Sequence, residues 1–299
     1  MGEYMHLAGF AADVHSQHGE DGILAEVLDR IESGAALSKW CVEFGAADGV
    51  WLSNTCNLIR SRGFRAVMIE ADPRRGRLLE RNHPGDQVVK LIRKVGLHGD
   101  DRLDVILDGC AVPTDLDVVS IDIDGCDHWV LASMETHLPK VIVIEFNPTM
   151  PNALEYVQPP DFGVRHGSSP RSILQLAQSK GYELVAVTKV NLILLRSDLH
   201  DLVLGAGVPA PTLEDLRDDS DRITYAFSGY DGSLLMSRPR LRFPWHGVEV
   251  EVSDMQVIPR LWQSVPTDWP RNGIRRQSWR LRRLLSRRLI WARRNPTAP

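Results

Sequence analysis

The chain has 299 residues, 43% of them hydrophobic and 25% charged, which is enough apolar material for a substantial core in one large domain or two. No segment holds the roughly 18 consecutive apolar residues of a membrane span, and the N-terminus lacks a basic stretch followed by an apolar run, so a cytoplasmic protein is expected. The net charge of −4 hides a polarity: residues 270–299 hold ten Arg and no Lys, Asp or Glu, which leaves −14 (−4 minus 10) on residues 1–269.

In chain order, residues 16–32 (SQHGEDGILAEVLDRIE) place Ile23, Leu24, Val27, Leu28 and Ile31 on one helical face, a lid or lead-in helix. A first strand over about 40–45 ends in Glu43 and a turn of small residues, Gly45 to Gly49, before a helix over 53–62. Such a strand, turn and helix unit offers backbone N–H groups and a helix N-terminus to a polar ligand. The glycines fall as G-x-x-x-G with Ala47 between them, which departs from the G-x-G-x-x-G of dinucleotide binders.

A second strand (64–73) closes on Glu70 and Asp72, the latter an exposed turn residue before Pro73. A third unit lies in 87–96, and the fourth and fifth strands (117–125 and 140–148) are apolar runs that turn polar only at their ends. Runs of this kind separated by helical segments predict a parallel sheet covered on both faces, with ligands at the carboxyl ends of the strands. A helix over 168–182 and a close strand pair over 183–197 follow. The predicted fold is therefore α/β, a doubly wound, mostly parallel seven-stranded sheet with an antiparallel terminal pair and a C-terminal extension. The expected organisation is a domain over 1–200, an appended subdomain over 201–269 with a strand-like piece at 247–253, and a basic tail over 270–299.

Period-two alternation puts Ser120, Asp122 and Asp124 on one strand face and Glu145 with Asn147 on another, so adjacent strands gather three carboxylates and an amide at one cleft. These are hard oxygen ligands suited to Mg²⁺; the same groups can instead bind substrate or hydrogen-bond backbone without metal. His128, just past the fourth strand, is the first candidate for a general base and His166 the second, with Asp124 as a carboxylate alternative.

SQHGEDGIL, VEFGAADG with SNT, IEADP, SIDIDGCDHWVL, IEFNP and the final hairpin, in this order, resemble the FkbM-like family of class I S-adenosylmethionine-dependent methyltransferases over roughly residues 15–200. The resemblance implies O-methylation of a sugar, glycan or glycosylated metabolite. It also implies that Gly45, Ala47 and Gly49 pack against the methionine and ribose of the cofactor, that Glu43 lies near its ammonium and that Glu70 accepts both ribose hydroxyls; Asp122, at the end of the fourth strand, is a further cofactor-binding candidate. The rival readings are an NAD-dependent oxidoreductase on a related sheet and a non-catalytic module of the same fold.

The tail over 271–294 interleaves arginines with Leu281, Leu284, Leu285, Leu289 and Trp291. That pattern fits peripheral contact with an anionic membrane at the inner face, or a contact with the chain's own acidic body or a second subunit in a homo-oligomer. No nucleic-acid recognition motif accompanies the arginines.

Overall fold

The structure is a computed structural model that describes residues 7–260 together with Gln263, Leu281 and Leu284. The chain divides into two compact units, Met1–Arg222 and Ile223–Pro299.

In the first unit the apolar runs become β1 (Trp40–Phe44), β2 (Arg65–Glu70), β3 (Val88–Ile92), β4 (Val118–Ile121), β5 (Val141–Glu145), β6 (Tyr182–Val187) and β7 (Asn191–Arg196). They form one seven-stranded sheet in the order β3-β2-β1-β4-β5-β7-β6, in which β7 runs antiparallel to both β5 and β6 and the other pairings are parallel. This is the doubly wound, mostly parallel seven-stranded sheet with an antiparallel terminal pair that the sequence predicts. The chain runs outward from β1 to β3 and then returns to β4, so the crevice opens at the carboxyl ends of the adjacent β1 and β4, where the chain leaves toward opposite edges of the sheet.

Side chains alternate across each strand, and the two faces collect different helices. Val42, Phe44, Ile69, Ile121 and Ile144 face one cluster, completed by Leu107 of α4 (Leu103–Gly109), Val130 of α5 (Asp127–Ser133) and Ile173 of α6 (Pro170–Ser179). Cys41, Met68, Val118 and Val143 face the other, completed by Leu24 and Leu28 of α1 (Glu20–Glu32), Leu58 of α2 (Cys56–Arg62) and Leu79 of α3 (Pro73–Asn82).

Three of the boundaries that differ from the sequence reading do so because a carboxylate takes over the backbone. The first helix starts at Glu20 rather than 16, since Asp21 accepts the N–H groups of Val14, His15 and Ser16 and holds them in a loop. α2 starts at Cys56 because residues 53–55 wrap Glu43. β4 stops at Ile121, and the next turn closes on Asp127.

At the opposite edge of the sheet, Asp117 accepts N–H groups from Ser38 (3.1 Å), Lys39 (2.7 Å) and Trp40 (3.3 Å) and pairs with the buried Lys140 ammonium at 3.0 Å. The lead-ins of β1, β4 and β5 are thereby joined.

Residues 201–222, assigned from sequence to the appended subdomain, belong to the first unit. After α7 (His200–Val203), Leu213 of α8 (Leu213–Leu216) is buried in the α4–α6 side of the core, and Arg217 donates to the carbonyls of Pro148 and Met150. The second unit contains two antiparallel pairs, β8 (Ala226–Ser228) with β9 (Leu234–Met236) and β10 (Arg240–Phe243) with β11 (Val248–Glu251). Arg240 pairs across the second hairpin with Glu249 and Glu251. The basic tail lies outside the described residues apart from Leu281 and Leu284, which are helical and exposed. Among the described residues no helix is long and apolar enough to cross a membrane.

Candidate cofactor cleft and acidic site

The turn after β1 is built to approach its neighbours closely. Gly45 has a left-handed φ of 76°, and a methyl group on its Cα would meet the carbonyl oxygen of Asp122 at 1.6 Å. Only glycine fits there. Ala47 is also left-handed (φ 49°), a cost for an alanine that its N–H offsets by donating to Glu70 at 2.8 Å.

The second carboxylate oxygen of Glu70 accepts the N–H of Asp72 at 2.6 Å, and the residue is only 6% exposed. Its carboxylate is thus locked at the end of β2 with one lone pair on each oxygen still unused, the acceptor pattern that two vicinal hydroxyls require. Asp72 caps α3 through the N–H of Arg74.

Gly49 has another role: its φ of 74° and missing side chain make room for Leu79 and His83, and its carbonyl meets His83 Nε2 at 2.8 Å. It does not line the cleft, whereas Gly45, Ala46 and Ala47 do.

Glu43 borders the cleft, and its carboxylate is buried among Ser53 Oγ (2.5 Å), Thr55 Oγ1 (2.7 Å) and Asn54 N–H (2.8 Å). Burial pushes its pKa up, against the pull of those donors. In this geometry Glu43 shapes the turn from which α2 starts.

Asp122, Asp124 and Glu145 converge at the ends of β4 and β5, with one ligand oxygen from each lying within 4.8 Å of the others. Burial pushes Glu145 well up, and the neighbouring charges of Asp122, Asp127 and Asp124 push the same way. Asp122 is raised by burial and then by Asp124, and the carboxyls of Asp122 and Glu145 are hydrogen-bonded, so ionising both members of the pair is disfavoured. The cleft that contains them has a volume of about 560 Å³ and continues past Ile69, Ile123 and Val95 to Glu70, with Trp51, 71% exposed, at its mouth.

Asn147 and His128 stand apart from this group. The chain leaves β5 at Glu145, and the Asn147 amide oxygen already accepts both the N–H and the hydroxyl of Thr149, while its nitrogen donates to the His166 carbonyl. His128, in the first turn of α5, lines a separate open hollow of about 470 Å³ with Glu155, Val157 and Gln175. Burial pushes its imidazole down, and its Nδ1 has no hydrogen-bond partner among the described residues. His166 Nδ1 meets the Tyr156 hydroxyl at 2.7 Å.

Sequence reasoning passed over Asp127 and Gln158. Asp127, pushed up to about 7 by burial against the pull of two backbone donors, accepts the N–H groups of Ile123 and Gly125 and so shapes the turn that carries Asp124. An acid in the first turn of a helix was the available signal. Gln158 stands in a proline-rich loop with no periodicity to mark it as buried.

No family model matches the sequence, and no curated protein matches it. Among solved structures the chain is similar to the mitomycin 7-O-methyltransferase MmcR at 14% identity and a TM-score of 0.33, covering 58% of this chain and 53% of that one. It is also similar to the glycopeptide N-methyltransferase MtfA complexed with S-adenosyl-L-homocysteine, at 14% identity, a TM-score of 0.35, and 65% and 92% coverage. A SAM-dependent methyltransferase from Aquifex aeolicus gives 12% identity, a TM-score of 0.34, and 58% and 89% coverage. The chain thus spans about half the length (53%) of the mitomycin enzyme.

Proposed function

We propose that this chain is an S-adenosylmethionine-dependent O-methyltransferase of the FkbM-like kind, acting on a hydroxyl of a sugar, glycan or glycosylated metabolite. The observation that carries the reading is Glu70: a carboxylate fixed by the N–H groups of Ala47 and Asp72, at the end of the strand next to β1, with acceptor capacity left for a ribose diol. A dinucleotide reading is disfavoured by Ala47 at the middle glycine position and by β7 running antiparallel between β5 and β6.

When bound, S-adenosylmethionine supplies an electrophilic methyl group on a sulfonium. Glu70 holds the ribose end of the cleft, and Ile69, Val95 and Ile123 offer apolar walls that exclude water. Asp122, Asp124 and Glu145 mark the acceptor end; Asp124, the exposed member of the three, is placed to take the proton of an acceptor hydroxyl. The same three carboxylates would hold a Mg²⁺ ion, which would supply positive charge to polarise the acceptor oxygen. The ten arginines of residues 270–299 support peripheral contact with an anionic lipid surface.

Calorimetric titration of the full chain with S-adenosylmethionine and with NAD tests the reading. Binding of the first but not the second is expected; binding of NAD alone would overturn it.

A further inference from the structure

The acceptor end of the cleft contains a positive charge that the fold leaves unused. Arg165 lines the cleft with Asp122, Asp124 and Glu145, and its guanidinium is engaged in no hydrogen bond or ion pair with any described residue. By contrast Arg93, at the β3 side, is paired with Asp101 at 2.6 Å. Arg75, also unpartnered among the described residues, lies beside Asp72 at the other end of the cleft, with Glu70.

The backbone that presents Arg165 is fixed on both sides by Gln158, a fully buried side chain. Gln158 Nε2 donates to the Val164 carbonyl at 2.9 Å, while its Oε1 accepts the N–H groups of His166 (3.1 Å) and Gly167 (3.0 Å). The same amide reaches Cys126 Sγ at 3.2 Å, two residues after Asp124, and the Gln158 carbonyl accepts the Trp129 indole N–H at 2.7 Å. The fold therefore ties the Arg165 loop to the acid-bearing loop and leaves the guanidinium itself free of partners among the described residues. Counter-charge for the acids is not its role at contact distance, since no ion pair forms between Arg165 and the three carboxylates. An exposed, uncommitted fork of N–H donors carried on a fixed backbone is suited to a carboxylate or a phosphate.

We propose that the acceptor is an anionic glycoside or sugar, bearing a carboxylate or phosphate ester that Arg165 binds, with its reacting hydroxyl turned toward Asp122 and Asp124. This rests on the methyltransferase reading of the cleft. In a cleft that also contains three acids, Arg165 would offset the repulsion that an anionic acceptor otherwise meets.

The test is calorimetric titration of the full-length protein, saturated with S-adenosylhomocysteine, with glucuronate, glucose 6-phosphate and glucose. At least one anion should bind at least about tenfold tighter than glucose, the scale of a charged hydrogen-bonded pair. Which one does so identifies a carboxylate or a phosphate as the group recognised. Arg165→Gln should remove that advantage, and Arg165→Lys should restore only part of it, both with unchanged affinity for S-adenosylhomocysteine. Equal binding of all three sugars, or an anion preference that survives Arg165→Gln, overturns the proposal. Failure of the wild type to bind S-adenosylhomocysteine overturns the methyltransferase reading itself, before any sugar is added.

Discussion

Gly45 lies directly against the main-chain carbonyl of Asp122, with room for a hydrogen atom and for nothing larger. This contact joins the turn after β1 to the acid loop after β4, so the two halves of the cleft are set by one close approach. Gly45→Ala must push the loops apart and force a left-handed alanine. It should cost at least about 1–3 kcal/mol in denaturant unfolding and should weaken cofactor binding in calorimetry. Wild-type stability and affinity in the Gly45→Ala protein would show that the two loops move independently.

Glu70→Ala should weaken S-adenosylmethionine binding by about 1–3 kcal/mol, roughly 5- to 150-fold. Glu70→Gln should lose less, because an amide oxygen still accepts one bond. Equal affinity in all three proteins would remove this carboxylate from the cofactor site.

If Asp122, Asp124 and Glu145 hold Mg²⁺, exhaustive chelation should suppress methyl transfer, and added Mg²⁺ should restore it, with cofactor affinity unchanged throughout. Glu145→Gln should then respond poorly to added metal. Full turnover after chelation would leave the three carboxylates to substrate binding and proton removal.

Lys140→Met strands the buried Asp117 carboxylate without its cation. A broken buried pair typically costs about 3–5 kcal/mol. The loss should appear in chemical unfolding, and a change within the scatter of surface substitutions would mean that the backbone donors to Asp117 suffice alone.

Asp104 carries an acid-pH signature. Burial pushes its carboxyl up, but the N–H groups of Glu135, His137 and Thr136, with the His137 side chain, hold it below the usual carboxylate range. The unfolded chain therefore takes up this proton more readily than the folded one. The stability it supplies is full above the unfolded value of about 4 and is lost as pH falls through that value toward the lower folded one. Asp104→Asn should lower stability at pH 7 and flatten its decline at acid pH, as measured by unfolding across a pH series. An unchanged acid limb in the variant would assign the decline to other carboxylates.

The strands and the ends where their acids cluster were legible because both are written locally: apolar runs of strand length, each closing on a carboxylate. Asp122, Asp124 and Glu145 meet as alternation and a parallel sheet imply, although the regular pairing of β4 stops at Ile121. Asn147 was placed by extending that alternation past the strand's end, where Thr149 captures its amide instead. His128 was chosen by proximity in sequence to the acids, but α5 turns it toward the hollow that contains Gln175. Gln158 could not be found, since its partners at Cys126 and Val164–Gly167 are set by tertiary contact alone.

The Asp117 clasp has a practical corollary for altering this protein. It secures the chain at residues 38–40, 117 and 140, far along each strand from the cleft. Substitutions at exposed cleft positions such as Trp51 and Arg165 therefore leave this anchorage untouched, whereas a single change at Asp117 loosens the entry to three strands at once.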